Sequence, residues 1–316
     1  MSFFDNRSPW KNIRTEIIDG NKVVRIPKFY VKYKTRKFRP SWLISFKKRA
    51  GFKVHPAFML NGKELSCFFV GAYASTKASS NISDNIKADS NPGNSIVNIN
   101  WEDLVRSCDN IGEGWHALNI YERHAISLLM LVELGGPNVN VLLGNPETFG
   151  TTENNIDINA WRGIYMFYGH NYEATPGIQL KSGKLHVWDI NGYHTFVETV
   201  EVSTSYHNSY FNGFEDAHNT DDNEENDKTL NNLYDLRFLF IPNNVELDEE
   251  RSATGDVIST NNLEEAVCWM GGDGQNIDNY ASTGSGLFCL AFTTSSNESM
   301  PTGGVRIAKY GDEDEE

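Results

Sequence analysis

An α+β architecture of short antiparallel sheets, two helices and long loops is predicted by three observations in this 316-residue sequence. Short apolar segments are joined by Asp19-Gly20, Asn61-Gly62, Ser182-Gly183 and Asn191-Gly192, dipeptides suited to tight turns between strands. Two segments carry helix start and stop signals. Between these blocks run stretches rich in Asn, Ser, Asp and Gly that read as loops. With 39% hydrophobic residues, the chain can bury a core without a metal or disulfide staple.

Taken in order, residues 1 to 20 are polar and aperiodic, and read as an arm or anchor outside the main core. A turn at Asp19-Gly20-Asn21 opens the strand VVRIPKFYVKYK. Its period-two set, Val24, Ile26, Phe29, Val31 and Tyr33, is interrupted by Pro27, which marks an edge or a strand start. Asn61-Gly62 then divides two apolar segments in a type I′ hairpin signal. Residues 75 to 98 form a loop insertion. A first helix is expected near Trp101 to Ser107, with Asn100 as its N-cap and Glu102 and Asp103 favouring the positive end of its dipole. The second, Ile120 to Leu134, has Asn119 as cap, Glu122 completing a capping box, and Gly135-Gly136-Pro137 as its stop. Its near-continuous apolar run predicts burial on almost every side.

The stretch AWRGIYMFYGHNYEATPGIQL, Ala160 to Leu180, reads as a buried core segment turned at Gly163 and Gly169. Ser182-Gly183 and Asn191-Gly192 divide the next three strands into a meander. Insertions are expected at 203–230 and 243–262, with a strand near Leu236 to Pro242. GLFCLAF and GVRIAKY read as the last two paired strands. Residues 21–310 are thus expected to form one domain, followed by an acidic tail at 311–316.

The net charge of −14 and a pI near 5.0 argue against nucleic acid as a partner, which needs a concentrated basic surface. A basic series lies between Lys22 and Lys53, and it reads as a solvated strand face. Cys67, Cys108, Cys268 and Cys289 lack metal-ligand spacing and read as free thiols, most of them in apolar surroundings. No apolar run approaches the roughly 18 residues that span a bilayer, and Met1 to Gly20 does not resemble a secretion signal, so synthesis in a cytoplasm without membrane insertion is expected.

Five blocks in order resemble the C-type-lectin-like fold, in the branch shared by formylglycine-generating enzymes and the tail and fibre proteins of bacteriophages. VRIPKFYVKYK resembles its opening strand, and GFKVHPAFMLNGKELSCFFVGAY its HPAF segment in the bacteriophage branch. GWHALNIYERHAISLL is similar to the LPTEAEWEYAA helix start. The Ala160 to Leu180 stretch resembles the RG…GNVWEW heart, with Tyr172-Glu173 in place of Trp-Glu, and CWMGGDG…GLFCLAF…GGVRIAK resembles the closing RGGSW…GLF…GFR element. Together they span roughly residues 23 to 310. The resemblance implies a virion protein made in a host bacterial cytoplasm and carried on a tail fibre, head fibre or capsid, where it serves host attachment or acts as a decoration subunit. The oxidase alternative needs a reactive cysteine pair, and neither Cys268 nor Cys289 matches it. The sugar-binding Glu-Pro-Asn and Trp-Asn-Asp motifs of calcium-dependent lectins are also missing.

No catalytic set, metal site or cofactor is expected. The eight histidines lack ligand spacing, although His116 and His124 stand close enough in sequence to meet beside the second helix, and His55 and His170 are expected to satisfy backbone groups. Glu173 has no acid or nucleophile partner at a useful spacing. The run Glu153, Asn154, Asn155, Asp157 and Asn159 lacks the glycine and terminal glutamate of a calcium loop. In the fold family the ligand surface lies between the WMGG turn and the final strands. That implies Trp269, Gln275, Asn276, Asp278, Asn279 and Tyr280 as ligand-binding residues here. The expected partners are a host-surface glycan or protein and other virion proteins through the N-terminal arm, and the oligomeric state, including a homo-oligomer, stays open.

Overall fold

The computed structural model describes residues 3–36, 39–75, 86–92, 98–136, 139–143, 160–201, 209–210, 257–260, 263–272 and 285–312. One sheet has five antiparallel strands, in spatial order β1 (Arg14–Ile18), β2 (Asn21–Pro27), β8 (Cys67–Gly71), β18 (Ile307–Tyr310) and β9 (Trp115–Ala117). A second, mixed sheet runs through β12 (Phe196–Glu201), β11 (Lys184–Trp188), β10 (Tyr172–Lys181), β15 (Glu265–Gly272), β16 (Ser285–Phe292), β14 (Val257–Thr260) and β13 (Ser209–Tyr210). In it β14 lies parallel to β16, and β17 (Gly303–Gly304) lies parallel to β10. A small sheet joins β3 (Tyr30–Arg36), β4 (Arg39–Ser45) and β5 (Lys53–Val54), and β6 (Met59–Leu60) pairs with β7 (Lys63–Glu64). The helices are α1 (Trp101–Asp109), α2 (Ile120–Leu134) and the unexpected single turn α3 (Val139–Leu143). The architecture is α+β.

Alternate residues of the long strands feed two cores. In β15, Ala266, Cys268 and Met270 join the large cluster around α2, while Val267 and Trp269 face a smaller one that includes Leu104 and Cys108 of α1. β18 divides likewise between Ala308 and Ile307. Strands covered on both faces read as unbroken apolar runs, which is why AVCWM and GLFCLAF show no alternation.

Local signals are realised closely. Asn100 Oδ1 accepts the Asp103 amide at the start of α1. At α2, Asn119 Oδ1 accepts from the amides of Tyr121 and Glu122, Glu122 returns a bond to the Asn119 amide, and Gly135 ends the helix in the left-handed conformation. Positive φ at both residues of Asp19-Gly20, Asn61-Gly62 and Ser182-Gly183 fits type I′ turns. The meander β10–β11–β12 forms as expected.

Three expectations are corrected. Residues 3–20 are not an arm outside the core: Trp10 is buried, its indole donates to the Leu129 carbonyl at 3.1 Å, and β1 pairs along its whole length with β2. Arg162 fastens the same segment by contacting Glu133, Asp5 and the Trp10 carbonyl. VVRIPKFYVKYK is not one strand. Pro27 ends β2, and the chain turns into β3 of a different sheet, because proline lacks the N–H that would continue the ladder. GLFCLAF and GVRIAKY do not pair either: β16 lies between β15 and β14, whereas β18 inserts between β8 and β9. The strand expected near Leu236 to Pro242, the acidic residues 313–316, and most of the three insertions lie outside the described residues. Within the insertions, 86–92, 209–210 and 257–260 are described.

Candidate functional site

A buried Arg–Glu–Arg cluster ties the two sheets together. Glu173 of β10 accepts from Arg123 Nη1 at 2.6 Å and from Arg306 Nη2 at 2.7 Å, and all three side chains are almost fully buried. Arg306 also donates to the carbonyls of Gly71, Tyr165 and Met166, and Arg123 to that of Phe167, so the cluster holds the tight 161–171 segment in place. Burial alone would raise the Glu173 carboxyl, but the two guanidiniums outweigh it and hold the group below the ordinary carboxylate range. Glu173 is therefore a structural anion with no free lone pair directed at a cleft. Its partners lie 50 and 133 residues away in sequence, beyond any local motif.

Gly303 explains part of the closing motif. A Cβ there would lie 2.6 Å from Cζ3 of Trp269, so glycine lets the indole pack flat under β17. Trp269 is fully buried, and its Nε1 donates to Thr294 Oγ1 at 2.8 Å. As an expected ligand contact it is corrected to a core residue, with no surface to offer. Gln275, Asn276, Asp278, Asn279 and Tyr280 lie outside the described residues. The strands leading to them are described: Gly272 pairs with Ser285, so the twelve residues between leave and return at one sheet end.

The register also separates the two thiols proposed for an oxidase. Trp269 pairs with Ala291 and Met270 with Leu290, which puts Cys268 opposite Phe292 and on the other sheet face from Cys289. All four cysteines are buried and outside any disulfide, and burial raises the thiols of Cys268 and Cys108 far above their usual range. Such thiols are poor nucleophiles.

Among the described residues, a cleft of about 920 Å³ lies where β9 and β18 approach α1, β10 and the β11–β12 turn. Five rings contact one another along it. His116 stacks on Tyr310 at 3.9 Å, Tyr310 approaches His194 at 6.2 Å, His194 stacks on Trp188 at 4.2 Å, and Trp188 tilts against Phe196 at 6.1 Å. Gly177, at φ 95°, permits this arrangement, since a Cβ would sit 3.0 Å from the Trp188 ring and 2.9 Å from Ile120. His116 hydrogen-bonds the Gly114 carbonyl through Nδ1 and the Glu122 carboxylate through Nε2. Both partners are acceptors, an arrangement that favours the doubly protonated ring. Burial lowers its affinity for the proton, but Glu122, the Gly114 carbonyl and Asp109 outweigh burial and raise it above the ordinary histidine value. His194 is lowered by burial and by its neighbour His116, burial raises Tyr310, and the Tyr310 hydroxyl and His194 Nε2 are hydrogen-bonded across 3.2 Å.

His116 and His124, near enough in sequence to meet beside α2, take separate partners. His124, inside α2, instead meets His55, with His55 Nε2 2.8 Å from His124 Nδ1, and burial lowers His55 to about 3. His55 does satisfy a backbone group, accepting from the Ala57 amide. Among the described residues no group of three His, Cys, Asp or Glu side chains is placed to hold a metal ion. The oxygen-rich run from Glu153 to Asn159 lies outside the described residues.

No family model matches the sequence, and no curated protein matches it. Three solved chains are structurally similar, among them one named "Major Tropism Determinant U1 Variant". It is 10% identical, with 94% of this chain and 78% of that chain covered, at a TM-score of 0.34, a likeness that assigns neither a family nor an activity.

Proposed function

We propose that this chain is a non-enzymatic bacteriophage virion protein whose C-type-lectin-like domain presents a recognition surface to a host-surface glycan or protein. The ordered motif blocks support the fold and the viral setting. The observation that carries the reading is the base of the 273–284 segment: Gly272 and Ser285 are paired, and the strands behind them are buried on both faces around Trp269 and the Arg123–Glu173–Arg306 cluster. An Asn- and Tyr-bearing segment leaving from a rigid base is how binding loops are commonly supported. Particles carrying Asn276→Ala, Asp278→Ala and Tyr280→Ala together should assemble normally, with an unchanged Tm for the isolated protein, and should lose host adsorption at least about tenfold. Unaltered adsorption overturns the reading.

A decoration subunit is the second reading, favoured by Ile17, 70% exposed on the edge strand β1, and by exposed Phe3. Deleting residues 1–20 cannot test it, because that would remove buried Trp10 and strip β1 from the edge of β2. Ile17→Lys with Phe3→Ser keeps the fold; loss of incorporation into particles would support this reading, and normal incorporation would remove it.

A further inference from the structure

We propose that the aromatic cleft is a second binding site, separate from the 273–284 segment, and that it takes a neutral oligosaccharide. Glu265 and Val267, at the start of β15, line the cleft, whereas the segment leaves from Gly272 at the other end of the strand. At about 3.3 Å per residue the two places are roughly 20 Å apart.

The ligand class follows from what the walls offer. Phe196 is 41% exposed, and Trp101, Trp188 and Tyr310 are partly exposed, so apolar ring surface faces the opening. Rings that present faces or edges beside hydrogen-bonding groups suit a ligand with apolar C–H patches and many hydroxyls. The hydrogen-bonding groups are there: Asp109, Glu113 and Glu265 are exposed at the cleft, and the Gln179 amide lies beside Ile178 in its wall. The described lining holds no lysine or arginine, and His116 is already paired with Glu122 at 2.9 Å. An anionic glycan would therefore meet three carboxylates and no free cation.

A small cation is also disfavoured. Cation recognition by aromatics needs open ring faces around one point. Here the His116–Tyr310 and Trp188–His194 pairs stack face to face at 3.9 and 4.2 Å, which closes those faces to a guest. What stays available is a row of ring surfaces along an open trough, matched to successive residues of a chain. The Gly177 backbone, tolerating no Cβ, holds the Trp188 indole in that row.

The test titrates the full-length protein separately with maltohexaose, cellohexaose and chitohexaose, reading tryptophan emission and confirming by calorimetry. At least one probe should bind saturably. Phe196→Ala, an exposed position whose loss leaves the core intact, should weaken that binding by about tenfold, and Trp188→Phe should weaken it less. The Asn276→Ala, Asp278→Ala, Tyr280→Ala protein should bind the same probe normally, so loss of adsorption with retained sugar binding upholds both sites. Retained sugar binding with unaltered adsorption upholds the cleft alone. No binding of any probe, binding unaffected by Phe196→Ala, binding abolished by the 273–284 changes, or binding only of choline or an extended peptide would each overturn the proposal.

Discussion

His116 and Glu122 form an ion pair at the floor of the cleft, with Nε2 2.9 Å from Oε1 and 3.1 Å from Oε2, and the same carboxylate caps the first turn of α2. One buried anion thus joins the start of the central helix to β9 and to the ring row. Its loss would be felt in both the helix and the cleft.

The pair makes stability pH-dependent in a defined direction. His116 is raised above the ordinary histidine value of 6.5 when folded, so its contribution is complete below that pH and fades as pH rises through the higher folded value. Urea unfolding of the wild type should therefore show stability falling as pH increases above 6.5, and His116→Gln should be less stable by about 1–3 kcal/mol at pH 6 with that slope reduced. Equal slopes in the two proteins would contradict the assignment.

His55 acts in the opposite direction. It is held neutral by burial, with its value lowered from 6.5 to about 3, so the unfolded chain binds the proton more readily and stability falls as pH drops across that window. The loss is bounded at about 5 kcal/mol. Acid titration of the wild type against His55→Asn, followed by far-UV circular dichroism, should show a shallower acid limb in the variant.

Removing Glu173 leaves two buried guanidiniums facing each other. Glu173→Gln should cost about 3–5 kcal/mol, far more than a surface ion pair, because the remaining charges stay desolvated. A denaturant midpoint near that of the wild type would show that the cluster does not hold the sheets together.

Gly303→Ala should destabilise by about 1–3 kcal/mol through its clash with the Trp269 ring. The smaller ring of Trp269→Phe should recover part of that loss in the double variant, giving a favourable coupling energy in a double-mutant cycle.

The buried thiols should be inert. Native protein at pH 8 should take up almost no iodoacetamide at Cys67, Cys108, Cys268 or Cys289 by mass spectrometry, whereas the urea-unfolded protein should label at all four. Rapid labelling of Cys268 in the native state would reopen the oxidase reading.

Features closed by bonds a few residues long were legible before any fold was known. Asn119 and Glu122 make their capping box within one turn, and Asn61-Gly62 and Ser182-Gly183 need only their own positive φ. Alternation misled where burial is two-sided: it ran β2 and β3 together across Pro27, and adjacency in sequence suggested that β16 pairs with β18. The N-terminal twenty residues looked peripheral because their buried anchor, Trp10, finds its partner 119 residues away at Leu129.

Local order in this chain comes from turn and cap chemistry, whose energies depend on near neighbours and are written in the residues themselves. The placement of the charges and of the cleft belongs to strand order. Arg123, Glu173 and Arg306 converge only because α2, β10 and the chain entering β18 meet at the junction of the two cores. His116, Tyr310, Trp188 and Phe196 form a row only because β9 and β18 of one sheet face β11 and β12 of the other. Those contacts are long-range, and their energy depends on the whole packing, which no short window of sequence contains.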